Sequence, residues 1–161
     1  MESNLSLIER TIFLMELDYF QNVSSDIVAQ IATDAREDHF EPGTIVYGAD
    51  SPARRLYVII EGSVQLVAEG RVVRTIGRGE GFGLLAALQP ESAADMEARV
   101  TQHTHVLSVS RDDFLDAIHE HPDLPIGLLR AIVRQMTEFA SENAKLRARL
   151  AALAGTAEET R

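Results

Sequence analysis

The 161-residue chain contains no cysteine, which removes disulfides, thiolate metal sites and cysteine nucleophiles together. Basic residues are also scarce: 15 Lys and Arg stand against 25 Asp and Glu, a formal net charge of −10. Gripping a phosphate backbone needs a positive stripe, so this balance argues against nucleic acid as a direct partner. Long apolar runs are missing too, and none approaches the roughly 18 residues of a membrane span. The segment from Leu5 to Leu17 is broken by Glu9, Arg10 and Glu16 and lacks a basic leader, so it does not read as a signal peptide. The expectations are no membrane partner and a cytoplasmic location. Ser, His and Asp are nowhere gathered into a nucleophile motif, so no catalytic residue and no enzyme are expected.

A hydrophobic fraction of 45% over this length fits one globular domain with a single substantial core. The stretch that organises the chain is Gly77-Arg78-Gly79-Glu80-Gly81-Phe82-Gly83-Leu84-Leu85-Ala86-Ala87-Leu88, a glycine-rich loop running into a short apolar helix. Glycines admit positive φ and close backbone approach. A helix opening after such a loop leaves unpaired N–H groups that favour an anion. The same glycines could equally serve a tight strand-to-helix turn alone.

Leu5, Ile8, Ile12 and Met15 recur at helical spacing, and Ser24 or Ser25 can cap a second helix carrying Ile27, Val28 and Ile31 up to Ala35. Residues 1–36 thus form a helical lead-in. From there the chain reads as short strands: Thr44 to Tyr47, Leu56 to Ile60, Val64 to Ala68, Val72 to Ile76, Glu97 to Thr101 and Val106 to Val109. Gly and Pro turns divide them, the pattern of a mainly β antiparallel jelly roll over 37–121. The run Glu37-Asp38 with Glu41 reads as a solvated edge. Ser110 can cap a helix, with Asp113 as a short capping-box partner. His103 and His105 alternate along a strand and read either as a metal-ligand spacing or as solvated histidines; the second is preferred.

A long helix is expected from Pro122 or Pro125 to about residue 154, with a flexible polar tail over 155–161. In it Leu129, Met136, Asn143 and Leu150 recur every seven residues, and so do Ile132, Phe139, Leu146 and Leu153. With these as a and d positions the helix reads as a parallel homodimer seam in which Asn143 fixes the register. The alternative is that Leu129, Ile132, Val133 and Met136 pack on the helix's own roll.

The order of elements, together with Pro42-Gly43, Leu56-Tyr57-Val58-Ile59-Ile60-Glu61-Gly62-Ser63-Val64, Gly79-Glu80-Gly81-Phe82-Gly83 and Ser110-Arg111-Asp112-Asp113-Phe114, resembles the cyclic-nucleotide-binding domains of catabolite activator protein and cAMP-dependent kinase regulatory subunits. The resemblance spans about residues 10 to 145. It implies a β-roll with flanking helices and a phosphate-binding cassette at Phe82, Gly83, Leu84, Leu85 and Ala86, completed by Ala94 and Asp95. In the family a glutamate after Phe-Gly holds the ribose hydroxyl, and an arginine neutralises the cyclic phosphate. Here Leu84 stands at the glutamate's place. Counting back without gaps from Ser110 puts Ala94 at the arginine's place, with Asp95 beside it. Each lost charge-assisted contact is worth roughly 1.5–3 kcal/mol, so the cassette reads as degenerate, with at most a weak site for a cyclic nucleotide or other small anion. No cofactor is expected. Two functions follow: a regulatory or sensory module that does not take cAMP or cGMP in the usual way, or a structural dimerisation or docking domain with a vestigial pocket, for which another protein is the second partner. A transcription regulator would need a helix-turn-helix after the long helix.

Overall fold

The computed structural model describes residues 4–48, 51, 53–84, 88 and 96–158. Helix α1 (Leu7–Met15) begins at Ser6, whose hydroxyl accepts from the Glu9 amide while the Glu9 carboxylate accepts the Ser6 N–H at 2.8 Å. This reciprocal cap satisfies two donors that the helix start would leave bare. A 3-10 turn (Asp18–Phe20) leads to α2 (Ser25–Asp34), which buries Val28, Ile31 and Ala32.

Among the described residues eight strands follow: β1 (Arg36–Phe40), β2 (Ile45–Tyr47), β3 (Arg55–Glu61), β4 (Val64–Ala68), β5 (Arg71–Ile76), β6 (Gly81–Phe82), β7 (Met96–Val100) and β8 (Thr104–Ser110). They form two antiparallel four-stranded sheets, ordered β1-β8-β3-β6 and β2-β7-β4-β5. This is the expected β-roll. Helices α3 (Arg111–Glu120) and α4 (Asp123–Glu158) complete the chain.

The unbroken apolar run Leu56 to Ile60 has a physical reason. The first sheet is covered on both faces, so its central strand cannot alternate with polar residues. Tyr57 and Ile59 point into the cluster between the sheets with Val64, Ile76, Ala98, Val100 and Val106. Leu56, Val58 and Ile60 face the other way, onto Phe13, Leu14, Phe20, Ile31, Phe114 and Leu128 of the helices. Two cores therefore share one sheet.

Strand β1 was not expected, because its sequence Arg-Glu-Asp-His-Phe is polar. It pairs with β8 from Arg36↔Ser108 to Phe40↔Thr104. The solvated-edge reading of its carboxylates fails as well. The Glu37 side chain is only 6% exposed and lies 3.2 Å from Arg10 and 3.0 Å from His105. Glu37 also accepts the Leu5 N–H at 2.8 Å, so one buried carboxylate ties the start of the chain to the sheet. Asp38 accepts from the buried Ser108 hydroxyl. Only Glu41 stays in solvent.

The capping by Ser110 holds: its hydroxyl accepts the Asp113 N–H at 3.1 Å. Helix α4 starts at Asp123, with Pro125 in the first turn, where its missing N–H costs nothing. The helical backbone runs on through Gly155 to Glu158, past the boundary expected at residue 154. At 36 residues it is about 54 Å long. Gly127 lets it approach the body closely: a Cβ there would lie 3.1 Å from Val23 Cγ2 and 3.2 Å from the Tyr19 carbonyl.

Candidate functional site

The glycine-rich stretch leaves β5 at Ile76 and returns to the first sheet as β6. Its turn is closed from within. The Glu80 carboxylate accepts the Gly77 N–H at 2.8 Å and meets Arg74 at 2.7 Å. The Gly79 amide donates to the Ile59 carbonyl at 2.8 Å, and the Ile59 amide to the Glu80 carbonyl at 3.0 Å. Arg78 donates to the Ile60 carbonyl at 3.0 Å and lies over the Phe13 ring. The backbone conformation and packing account for Gly83 without a ligand. Its φ is +85°, and a Cβ would stand 2.7 Å from the Arg55 carbonyl and 3.2 Å from Tyr57 Cδ2.

Beneath this loop lies an aromatic floor. Phe82 is buried and stacks on Tyr57 at 4.9 Å, with Tyr47 6.3 Å away. Burial pushes the Tyr47 phenol up to about 12, partly offset by the Gly83 backbone beside its oxygen. The Tyr57 phenol is also raised by burial, with Arg55 pulling it down and Asp38 pushing it up. These side chains fill the space between the sheets under the cassette.

Leu84 is partly buried against the helical core, beside a narrow cavity of about 40 Å³. That cavity is apolar. Leu85, Ala86, Ala94 and Asp95 lie outside the described residues. Arg99 is the nearest base in sequence, and strand alternation settles its direction. Ala98 and Val100 point inward and are buried, whereas the Arg99 side chain is 50% exposed and lies 2.6 Å from Glu97.

The seam residues Leu129, Ile132, Met136, Phe139, Asn143, Leu146 and Leu150 recur along α4 at heptad spacing, and all are exposed. The apolar ones range from 39% exposed at Ile132 to 68% at Phe139. The inward face of α4 is instead Leu124, Leu128 and Ala131. The reading in which Leu129, Ile132, Val133 and Met136 pack on the helix's own roll is therefore wrong.

One polar grouping escaped the sequence reading, and a second was only half seen: His103 is solvated as expected, but His105 is only 15% exposed and pairs with Glu37. Arg55 donates to the Ser108 hydroxyl at 2.9 Å and to its carbonyl at 3.2 Å, with Asp38 on the same hydroxyl. The signal was present: Ser108 falls at an inward position between Val106 and Val109, where a buried hydroxyl must find partners. His39 stacks on His105 at 4.1 Å with His103 nearby. Among the described residues no group of three or more His, Asp or Glu could hold a metal ion. No helix among them is long and apolar enough to cross a membrane.

A glycine-turned loop closing a β-roll of two four-stranded sheets, with a long helix after it, is the architecture on which the family assignment can be tested. The family described as cyclic nucleotide-binding domain matches residues 37–121, and the chain belongs to it. It is 26% identical over 122 residues to the CRP-like cAMP-activated global transcriptional regulator of Mycobacterium tuberculosis, covering 73% of this chain and 54% of that protein. The chain thus spans about half the length of that relative. Among solved structures, the sensor domain of the transcriptional regulator DNR from Pseudomonas aeruginosa is similar with a TM-score of 0.68 at 13% identity, covering 84% of this chain and 94% of that one. Thermus thermophilus catabolite activator protein is similar with a TM-score of 0.65 at 22% identity, covering 80% of this chain and 62% of that one.

Proposed function

We propose that the chain is a cytoplasmic, non-catalytic regulatory module of the cyclic-nucleotide-binding family that does not take cAMP or cGMP in the usual way and acts as a homodimer through α4. The observation that carries the ligand half is the chemistry at the cassette. An apolar leucine stands where a ribose-binding carboxylate is needed, Ala94 and Asp95 stand where cation and hydroxyl are needed, and Arg99 points away. Two lost charge-assisted contacts weaken a micromolar site by several powers of ten, at about 1.4 kcal/mol per tenfold. Isothermal titration is expected to show no binding of either nucleotide tighter than roughly millimolar. Micromolar affinity for either one would overturn the reading.

A second reading, a structural dimerisation or docking domain with a vestigial pocket, draws on the bare apolar stripe of α4. The two readings separate on ligand response. A regulatory module changes its dimer affinity when some small molecule fills the roll, and a structural one does not.

A further inference from the structure

The apolar face of α4 is wider near the body than a two-helix seam needs. Beside the a and d positions, the e positions Ile126 and Val133 are also apolar and exposed. A two-stranded coil covers a and d, whereas an apolar e row calls for a further helix. The widening stops where the helix leaves the body, because the next e positions are Ala140 and Arg147. Helix α1 carries a second bare row. Phe13 and Leu14 fill the helical core, but Ile8, Ile12 and Met15, spaced by four and then three, are exposed, Ile8 at 71%. The two rows match in length, for Ile8 to Met15 and Ile126 to Val133 each advance seven residues, about 10 Å of helix. They also match in charge. Glu16 stands beside Ile12 and Met15 on the surface of α1, and Arg130 stands at the b position beside the e row of α4. Among the described residues neither joins an ion pair within its own chain.

We propose that α1 of one protomer docks on the e row of α4 in a second copy of this chain, its Ile8, Ile12 and Met15 covering Ile126 and Val133 and its Glu16 facing Arg130. The inference rests on the homodimer proposed above and deepens it: the interface is a cluster of four helices beside the bodies and a two-helix coil beyond them. Both rows are bare in the single chain, so α1 does not cover its own α4. A second copy fits because an isologous interface uses each row twice, once on either side of the two-fold axis. It brings two rows of equal length and opposite flanking charge together, and it removes apolar surface from water on both.

Because the chain has no cysteine, single cysteines placed by substitution report this contact directly. Chains carrying Ile12→Cys and Val133→Cys, mixed and treated with a short bismaleimide, are expected to give a covalent species of twice the 17.7 kDa chain mass that contains one chain of each kind. Sedimentation equilibrium measures its weight in the interface. Ile8→Glu with Ile12→Glu, both at exposed positions, should raise the dimer dissociation constant at least about tenfold. Glu16→Arg should weaken the dimer, and Arg130→Glu added to it should restore the wild-type affinity. No mixed cross-link, together with wild-type affinity in the Ile8→Glu, Ile12→Glu variant, would overturn the inference and leave the α4 seam standing. A cross-link formed within one chain carrying both cysteines would overturn it as well, since α1 would then reach its own α4. A monomeric wild type would remove the homodimer itself, a failure that the cross-linking of an intact dimer cannot mimic.

Discussion

Leu124, Leu128 and Ala131 on one face of α4 are buried against the body, while Leu129, Met136, Phe139 and Leu150 on another face of the same helix are bare. The two sets are similar in chemistry and differ in their partners. The first set belongs to the close approach that Gly127 permits, and it stops where the body stops. The second keeps a seven-residue period along the whole helix, well beyond anything its own chain could cover. A period of 3.5 rather than 3.6 is what a second helix demands. One face is thus fitted to the roll, and the other is left uncovered by its own chain.

The sharpest way to break this comparison is to ask for the partner. Light scattering coupled to size exclusion is expected to report twice the 17.7 kDa chain mass. Phe139→Glu combined with Leu146→Glu should bring it down to a single chain, with the roll still folded by circular dichroism. Asn143 donates to the Phe139 carbonyl at 3.1 Å within one chain. In an in-register dimer it can turn to its symmetry mate, so Asn143→Leu should tighten the dimer while loosening its choice of register. A wild-type monomer at high micromolar concentration would remove the dimer from the proposal.

The second comparison is between glycines that fit a turn and glycines that fit a contact. Gly79 has positive φ but open space around it, whereas Gly83 has positive φ and the Arg55 carbonyl in its way. Gly83→Ala should cost about 1–3 kcal/mol, from strain plus displacement of the neighbouring strand. Gly79→Ala should cost less, since strain alone acts there. Thermal melts decide this, and equal melting temperatures for both variants would count against the close approach.

Much of the architecture was legible because hydrophobic period and turn residues agree along the chain. The contiguous Leu56 to Ile60 run, the Ser110 cap and the heptads of α4 each encode their own structure locally. Strand β1 was not legible, because Glu37, Asp38 and His39 become strand residues only through partners remote in sequence, at Arg10, Ser108 and His105. Tertiary pairing overrides a polar composition there. At the cassette, the place of Leu84 directly after Phe82 and Gly83 was legible. Its packing on the helical core could not be read, because that depends on the φ of the glycine before it.

That buried polar pairing can itself be tested. Ser108→Ala would leave Asp38 without its donor and the Arg55 Nε without its acceptor, both part-buried. A cost of about 1–3 kcal/mol is expected, larger than for a solvent-exposed serine. A neutral Ser108→Ala would mean that water takes over both contacts.

The smallest effect separates the aromatic floor of the cassette from the exposed tyrosines of an unfolded chain. The Tyr47 phenol is raised by burial to about 12 in the fold, against an ordinary value of 10.0. Below pH 10 both states keep the proton, so its contribution to stability is fully present. Between about 10 and 12 the unfolded chain loses the proton first, and stability falls as pH rises, by about 1.4 kcal/mol for each unit of the difference. Tyr47→Phe should remove this part of the alkaline decline, at a cost of about 1 kcal/mol at neutral pH for the lost hydroxyl contact. Chemical denaturation at pH 8 and pH 11 measures both. If the variant lost as much stability over that range as the wild type, Tyr47 would not be the group held neutral beneath the cassette, and the floor would be open to water.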